Sequence, residues 1–188
     1  MRKLWLLVCG AFLSWHVNAL EVSGVKLDEK IQLDKQELVL NGAGVRTKVV
    51  FDIYVAALYL KEKSKKADVV LADAGSKRVS MHILFGLKSD TLMEAFKNAF
   101  EANHSATELS ALDTQLKKFY AIFGTIPEVK KGDVILLDYL PATGTKVTVN
   151  GIERGIVEGA EFNRALLKIW LGTRPVQDDL KKDLLNSW

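Results

Sequence analysis

The sequence predicts an α+β protein: an antiparallel sheet with helices packed on one face. Two observations point there. Strand-like and helix-like segments come in separate runs (strands, then helices, then a meander of strands, then helices) instead of alternating as βαβ units. The meander also carries a strong short hairpin signal, Asn150-Gly151, between two strand-like runs. No repeat, low-complexity tract or linker divides the chain, and its three prolines, Pro127, Pro141 and Pro175, fall at element boundaries. One domain is expected, spanning residues 20–188.

The first 19 residues read as a secretory signal peptide. Arg2 and Lys3 form a basic start, a 12-residue apolar stretch runs from Leu4 to Trp15, and Val17-Asn18-Ala19 supplies a cleavage site after Ala19. The apolar stretch is shorter than the ~18–20 residues a membrane span needs. Export across the inner membrane to the periplasm is therefore expected, with no transmembrane segment after cleavage. The 169 residues that follow contain no cysteine, so the fold rests on its core without a disulfide.

"VSGVKLDEKIQL" reads as two short strands around a polar turn at Asp28-Glu29. "ELVLNGAGVRTKVVFDIYVAALYL" reads as a strand, a glycine turn at Gly42 to Gly44, and one long strand. Alternation along that strand puts Val45, Thr47, Val49, Phe51, Ile53, Val55, Ala57 and Tyr59 on the core face. Arg46, Lys48, Val50, Asp52, Tyr54, Ala56, Leu58 and Leu60 fall on a mixed face. "KEKSKKAD" is a solvated connection and "KRVSMHILF" a strand.

A helix is expected from Ser89, with Thr91 and Glu94 at capping-box spacing and an apolar stripe of Leu92, Ala95, Phe96, Ala99 and Phe100. A second opens at Ser105, with Glu108 three residues on, and continues through Leu109, Leu112, Leu116, Phe119 and Tyr120 to a stop at Gly124. The meander "DVILLDYL", "TKVTVN" and "IERGIVEG" follows. A helix over Glu161 to Leu171 ends at Gly172, and Pro175 opens a last short one.

Several chemistries are not supported. Without the leader, 24 basic side chains face 23 acidic ones, too even a balance to suggest nucleic acid or an anionic membrane surface. His82 and His104 have no second ligand at metal-site spacing, so neither a metal nor a cofactor is expected. There is no G-x-S-x-G elbow and no P-loop, and "NGAGVR" leads into a strand, with no helix N-terminus for a phosphate. Spacing nominates no nucleophile–base pair.

The Gly-Val-Arg run at Gly44 to Arg46, followed by an apolar strand ending Leu58-Tyr59-Leu60, resembles the chalcone isomerase superfamily. It is more similar to the bacterial exported members than to the plant enzymes. "RVSMHILF", "KKGDVILLDYLP" and "GIERGIVEGAEFNRALLKIWLGTRP" continue the resemblance in order, over Leu20 to Leu185. It implies an open-faced β-sandwich, a long antiparallel sheet with a helical layer on one face, and a cleft for an apolar ligand between them.

In the family's enzymes an arginine in this turn binds substrate and stabilises an enolate, and Arg46 matches it. A guanidinium stays charged and offers a fixed donor fork to an oxyanion or carboxylate. The enzymes' strand threonine is replaced by Tyr54. Their helical tyrosine is missing from "SDTLMEAFKNAFEAN", where Asn98 is the only mid-helix asparagine, and Arg154 falls near a later threonine. No catalytic set carries over. The superfamily's non-catalytic fatty-acid binders join a turn arginine to a strand tyrosine on the ligand's carboxylate. Arg46 and Tyr54 resemble that pair, with Leu92 and Phe96 against the tail.

Read as one straight strand, Arg46 and Tyr54 lie about 26 Å apart at ~3.3 Å per residue, so joint contact requires a bend or a bulge. A purely structural role for Arg46 would be pairing with Asp52 or another acid, or hydrogen-bonding backbone carbonyls. The expected function is non-catalytic binding of a small apolar carboxylic acid such as a fatty acid. The alternatives are an intramolecular lyase acting on a chalcone-like enone, and an envelope adaptor with a filled cleft.

Overall fold

The computed structural model describes residues 19–186. The leader up to Asn18, and Trp188, which the sequence suggests is a tail residue, lie outside them. Seven strands form one sheet in the order β11-β10-β9-β6-β5-β4-β3, and every neighbouring pair is antiparallel. These are β3 (Lys30–Leu33), β4 (Gln36–Lys48), β5 (Phe51–Leu60), β6 (Lys77–Ile83), β9 (Val134–Leu140), β10 (Gly144–Val149) and β11 (Ile152–Val157). Helices α2 (Ser89–Asn103), α3 (Ala106–Ala111) and α4 (Asp113–Gly124) are inserted between β6 and β9, while α5 (Ala160–Leu171) and α6 (Asp178–Leu185) close the chain. The fold is the expected α+β arrangement, a curled antiparallel sheet with helices packed on it.

The helical face holds the main core. Phe96, Phe100, Phe119, Phe123, Phe162 and Trp170 are all buried there with the inward residues of β5, β6 and β9. The Phe96 ring stands edge-on to Phe119 at 5.6 Å and to Trp170 at 6.0 Å, the arrangement aromatic quadrupoles favour. The opposite face has a smaller core of its own. Leu27, Leu33, Leu38, Leu40, Val55, Ala57 and Tyr59 are buried under the hairpin of β1 (Ala19–Val22) and β2 (Val25–Asp28).

Strands that bury both faces read poorly by alternation. On β5 the helix-facing residues are Tyr54, Ala56, Leu58 and Leu60, the set that alternation leaves as the mixed face. Val55, Ala57 and Tyr59 belong to the smaller core. Val49 and Phe51, expected in the core, are exposed.

The larger correction concerns "NGAGVR". It is no turn. Gly42 to Arg46 lie inside β4, and the chain reverses at Val49-Val50. The glycines serve close approach instead. A Cβ on Gly42 would sit 2.1 Å from the Asp183 carbonyl oxygen, and one on Gly44 would sit 2.3 Å from the Asp183 carboxylate. The end of α6 therefore rests directly on the β4 backbone.

Asn41 makes this possible. It is the extra residue of a β-bulge, because Leu40 pairs with Tyr59 while Gly42 pairs with the next residue, Leu58. The bulge inverts alternation. Leu38 and Leu40 face the small core, whereas Gly42, Gly44 and Arg46 share the face of Leu58, Ala56 and Tyr54. The buried Asn41 amide donates to the carbonyls of Leu184 at 2.7 Å and Ser64 at 3.0 Å, and accepts from the Ser64 N–H at 2.7 Å. It thus fastens the bulge to α6 and to the loop after β5.

Smaller differences follow from local chemistry. The two short strands expected around Asp28-Glu29 are β2 and β3, with a bend at Glu29 between them, but they pair elsewhere: β2 with β1 through a turn at Ser23-Gly24, both at positive φ, and β3 with β4. Ser105 and Glu108 form the expected capping box, but Leu112, at φ −100° and ψ 6°, splits that helix into α3 and α4. Thr91 and Glu94 form no cap, since α2 begins at Ser89 without a side-chain cap. A short helix α1 (Ala67–Ala72) and a two-residue pair, β7 (Leu87–Lys88) with β8 (Glu128–Val129), are additional. Asn150-Gly151, α5 and its Gly172 cap match expectation.

The contact at Gly42 is testable. Gly42→Ala should cost about 1–3 kcal/mol, because backbone must move. Gly124→Ala, where an added Cβ meets nothing within 4 Å, should be neutral or slightly stabilising. Urea unfolding of both variants checks the contrast.

Candidate functional site

Arg46 and Tyr54 are direct cross-strand partners in the β4–β5 hairpin. The distance inferred from a single strand is thereby replaced by that of a paired residue, about 4.5–5.5 Å between Cα atoms. Both side chains line a cleft of about 480 Å³ between the sheet and α2. Leu92 and Phe96 line the same cleft, so all four residues singled out in the sequence meet there.

The wall contributed by α2 is shaped by small side chains. Thr91, Ala95, Asn98 and Ala102 recur along one stripe of α2 and line the cleft beside the buried Leu92 and Phe96. Ile53, Met81 and Ile169 complete an apolar interior.

Arg46 is held at one corner of its guanidinium. Its Nη1 donates to the Thr47 carbonyl and, at 3.2 Å, to the side-chain oxygen of Gln177. The same Gln177 oxygen accepts the Thr47 N–H at 2.9 Å, and the Gln177 amide donates to the Val45 carbonyl at 3.3 Å. Gln177 thus behaves as a short stretch of partner strand along β4. Asp52 pairs with the Thr47 hydroxyl at 2.8 Å instead of with Arg46. Among the described residues no carboxylate forms an ion pair with Arg46, and its Nε and Nη2 donate to none of them.

Tyr54 is buried, and its hydroxyl oxygen accepts the Trp170 indole N–H at 3.1 Å. No described residue accepts the hydroxyl proton. Burial pushes the phenol pKa up to about 12, with the Trp170 hydrogen bond and then the Arg46 charge pulling the other way. At physiological pH Tyr54 is therefore a neutral donor beside a cation that also has donors to spare.

The electrostatics of the cleft have one sign. Arg46 and the exposed Lys48 and Arg174 line it, and no Asp or Glu does. No histidine lines it either; His82 is a half-buried strand residue whose pKa is lowered by burial. Among the described residues no group of His, Cys, Asp and Glu could hold a metal, and no helix is long and apolar enough to cross a membrane. A second hollow, near His104, is lined by charges of both signs, including the Glu108–Lys168 pair at 3.6 Å.

Sequence reasoning missed the residues that hold the cleft's far wall. Asn103 donates to the Ala99 carbonyl at 3.0 Å and the Arg174 carbonyl at 2.7 Å, and accepts the Arg174 N–H at 3.0 Å. This ties the segment after α5 to the end of α2, so that Pro175 and Val176 face the cleft. A Cβ at Gly172 would sit 2.2 Å from the Asn103 side-chain oxygen, so "WLG" carries a packing signal as well as a helix stop. Gln177 and Lys48 left no signal in the sequence, because their place beside Tyr54 depends on the hairpin reversing at Val49; Arg174 left none because its place depends on Asn103.

The raised phenol makes alkaline stability a readout. Tyr54 holds its proton to about pH 12 in the fold, against the ordinary phenol value of 10.0. Its contribution is complete below pH ~10 and lost as pH rises through ~12, at about 1.4 kcal/mol per pH unit. Tyr59, also raised to about 12 with burial as the main cause, adds a parallel loss. Tyr54→Phe should flatten the fall between these pH values by one group, read from urea midpoints at stepped pH.

Comparisons with known proteins agree with this architecture. Among curated proteins none matches the chain in sequence. Among solved structures, a fatty-acid binding protein of Arabidopsis thaliana superposes with a TM-score of 0.69 over 90% of this chain and 96% of that one, at 17% identity. The family model described as chalcone isomerase-like matches residues 19–186. A curled antiparallel sheet with its cleft under α2, matched over that span, means that the chain belongs to the chalcone isomerase-like family.

Proposed function

We propose that the cleft binds a small amphiphilic carboxylic acid, a fatty acid being the simplest case, and does not transform it. One observation carries this reading. The free N–H groups of Arg46 and the free hydroxyl proton of Tyr54 sit side by side, in an apolar cleft that no acidic residue lines. A carboxylate there would accept a charge-assisted bond from the guanidinium and a second bond from the phenol. The alkyl chain would lie along the stripe of Ala95, Ala99 and Ala102, against Leu92 and Phe96. The Arabidopsis protein's name, fatty-acid binding, is in keeping with the idea, although at 17% identity that likeness speaks for the fold alone.

Binding is favoured over isomerisation because no histidine, cysteine, aspartate or glutamate lines the cleft to act as general acid or base. Tyr54, at about 12, is a poor general acid or base at pH 7. The open cleft and the absence of an acid on Arg46 weigh against an adaptor whose cleft is filled. Export to the periplasm on the predicted leader belongs to the same proposal.

Lipid extraction and native mass spectrometry of the purified protein test the reading. Arg46→Ala should bind acid about 10- to 100-fold more weakly, the range expected for loss of a charged hydrogen bond of ~1.5–3 kcal/mol. Because Arg46 also bonds to Gln177, Ala95→Trp serves as an independent variant. It blocks the cleft from an exposed helix position and should abolish binding with the melting temperature retained. Equal acid content in wild type and both variants, or none in any, would sink the proposal.

A further inference from the structure

The exposed apolar side chains are not scattered. Of the seven large hydrophobic residues exposed among the described residues, Val49, Val50, Phe51, Phe85 and Ile152 all lie at one end of the sheet. This end collects the β4–β5 turn, the loop after β6 and the Asn150-Gly151 turn, because β4, β6 and β10 finish there and β5, β9 and β11 start there. The rings of Phe51 and Phe85 contact each other at 5.1 Å, while Val49 and Val50 stand 89% and 77% exposed.

Val49 is unfavourable there twice over. It is β-branched, yet it adopts φ 59°, a region that costs such residues free energy. The neighbouring hairpin at the same end makes its turn with Asn150-Gly151, the usual choice. A valine in the strained position, with its side chain in water, adds nothing to the stability of the isolated molecule.

The surrounding charge is complementary to an anionic surface. Lys48, Lys88 and Lys131 form no ion pair among the described residues. The loop bearing Phe85 packs through Gly86 on the backbone of Lys130 and Lys131. Three of the acids nearby are already engaged: Asp52 with Thr47, Glu128 with Lys130, and Asp133 with Asn150 and the Lys130 N–H. Glu153 beside Ile152 and Asp90 beside Lys88 leave three free lysines facing two free acids among the described residues at this end. The near-even charge of the whole chain hides this local arrangement. The patch is also continuous with the cleft, since Phe85 and Lys48 line both.

We propose that this end of the sheet docks on a phospholipid bilayer containing anionic lipid, with Val49, Val50, Phe51 and Phe85 inserted at the headgroup level and the free lysines on the phosphates. Shallow insertion of a few apolar side chains together with basic residues is enough for reversible binding to such a surface. Docking in this way places the opening of the cleft against the lipid, where an amphiphile can pass without crossing water.

The test uses single cysteines, in a Cys9→Ser background, that carry an environment-sensitive dye. Val50→Cys reports on the tip. Lys35→Cys, in the turn before β4 at the opposite end of that strand, is the control. Mixed phosphatidylcholine–phosphatidylglycerol vesicles should blue-shift the dye at position 50 and leave the one at position 35 unchanged. Combining Val49→Ser with Phe51→Ser should weaken the vesicle response by tenfold or more, roughly the loss of one or two buried apolar side chains. Lys131→Gln should weaken it by about fivefold.

The same response at both positions, or none at either, overturns the proposal. So does a shift at position 50 that needs no vesicles and grows with protein concentration, which would mark a second copy as the occupant. The outcome is separable from ligand binding: insertion with an empty cleft supports docking and removes the ligand, whereas a loaded cleft without insertion does the reverse.

Discussion

The Asn41 bulge governs the geometry of the site. One extra residue in β4 moves Arg46 from the face of the small core to the face of the helices. The bulge persists because its side chain is fully used: the Asn41 amide is buried and bonded to Leu184 and Ser64. A buried amide left without these partners would cost ~1–3 kcal/mol, so register and tertiary contact support each other. From that point the sequence of dependencies is short. The bulge presents Gly42 and Gly44 to α6, the glycines let α6 lie on β4, and α6 is preceded by Gln177, which grips Val45, Arg46 and Thr47.

The fold was legible from the sequence where local chemistry decides. Asn150-Gly151, the Ser105–Glu108 capping box and the Gly172 stop are each specified by two or three neighbouring residues, and each is present. The β4–β5 hairpin was not legible. Glycines normally mark turns and valines normally mark strands, and here both are inverted, with Gly42 and Gly44 in the strand and Val49-Val50 in the turn. Each inversion has a non-local cause: contact with α6 for the glycines and, on the docking proposal, a lipid surface for the valines. Alternation failed on β5 for another reason. With Tyr54 to Leu60 buried on both faces, a period of two carries no information about which face meets the helices.

Arg46 and Tyr54 come together in the sequence through the family resemblance, while reading them on one straight strand misplaces them. Shared parity along one strand happens to place them on the same side, but only the reversal at Val49 makes them neighbours. What the residues themselves could not supply was the rest of the cleft. Asn103 and Gln177 act through backbone groups of segments some 70 to 130 positions away, and such contacts leave no periodic trace.

The site also carries a thermodynamic consequence. A partly buried guanidinium without a carboxylate gives up some hydration and receives little in exchange, and the Tyr54 proton lacks an acceptor among the described residues. Both deficits are local to the cleft, and one anion would relieve both. On the proposed function, ligand and stability are therefore linked: an acid bound only by the folded chain adds stability as RT ln(1 + [L]/Kd). The same anion would favour the neutral form of Tyr54 over the phenolate. The stability added by the ligand is therefore full while Tyr54 keeps its proton and falls as the phenol ionises, because the anion binds beside a neutral phenol and is repelled by a phenolate.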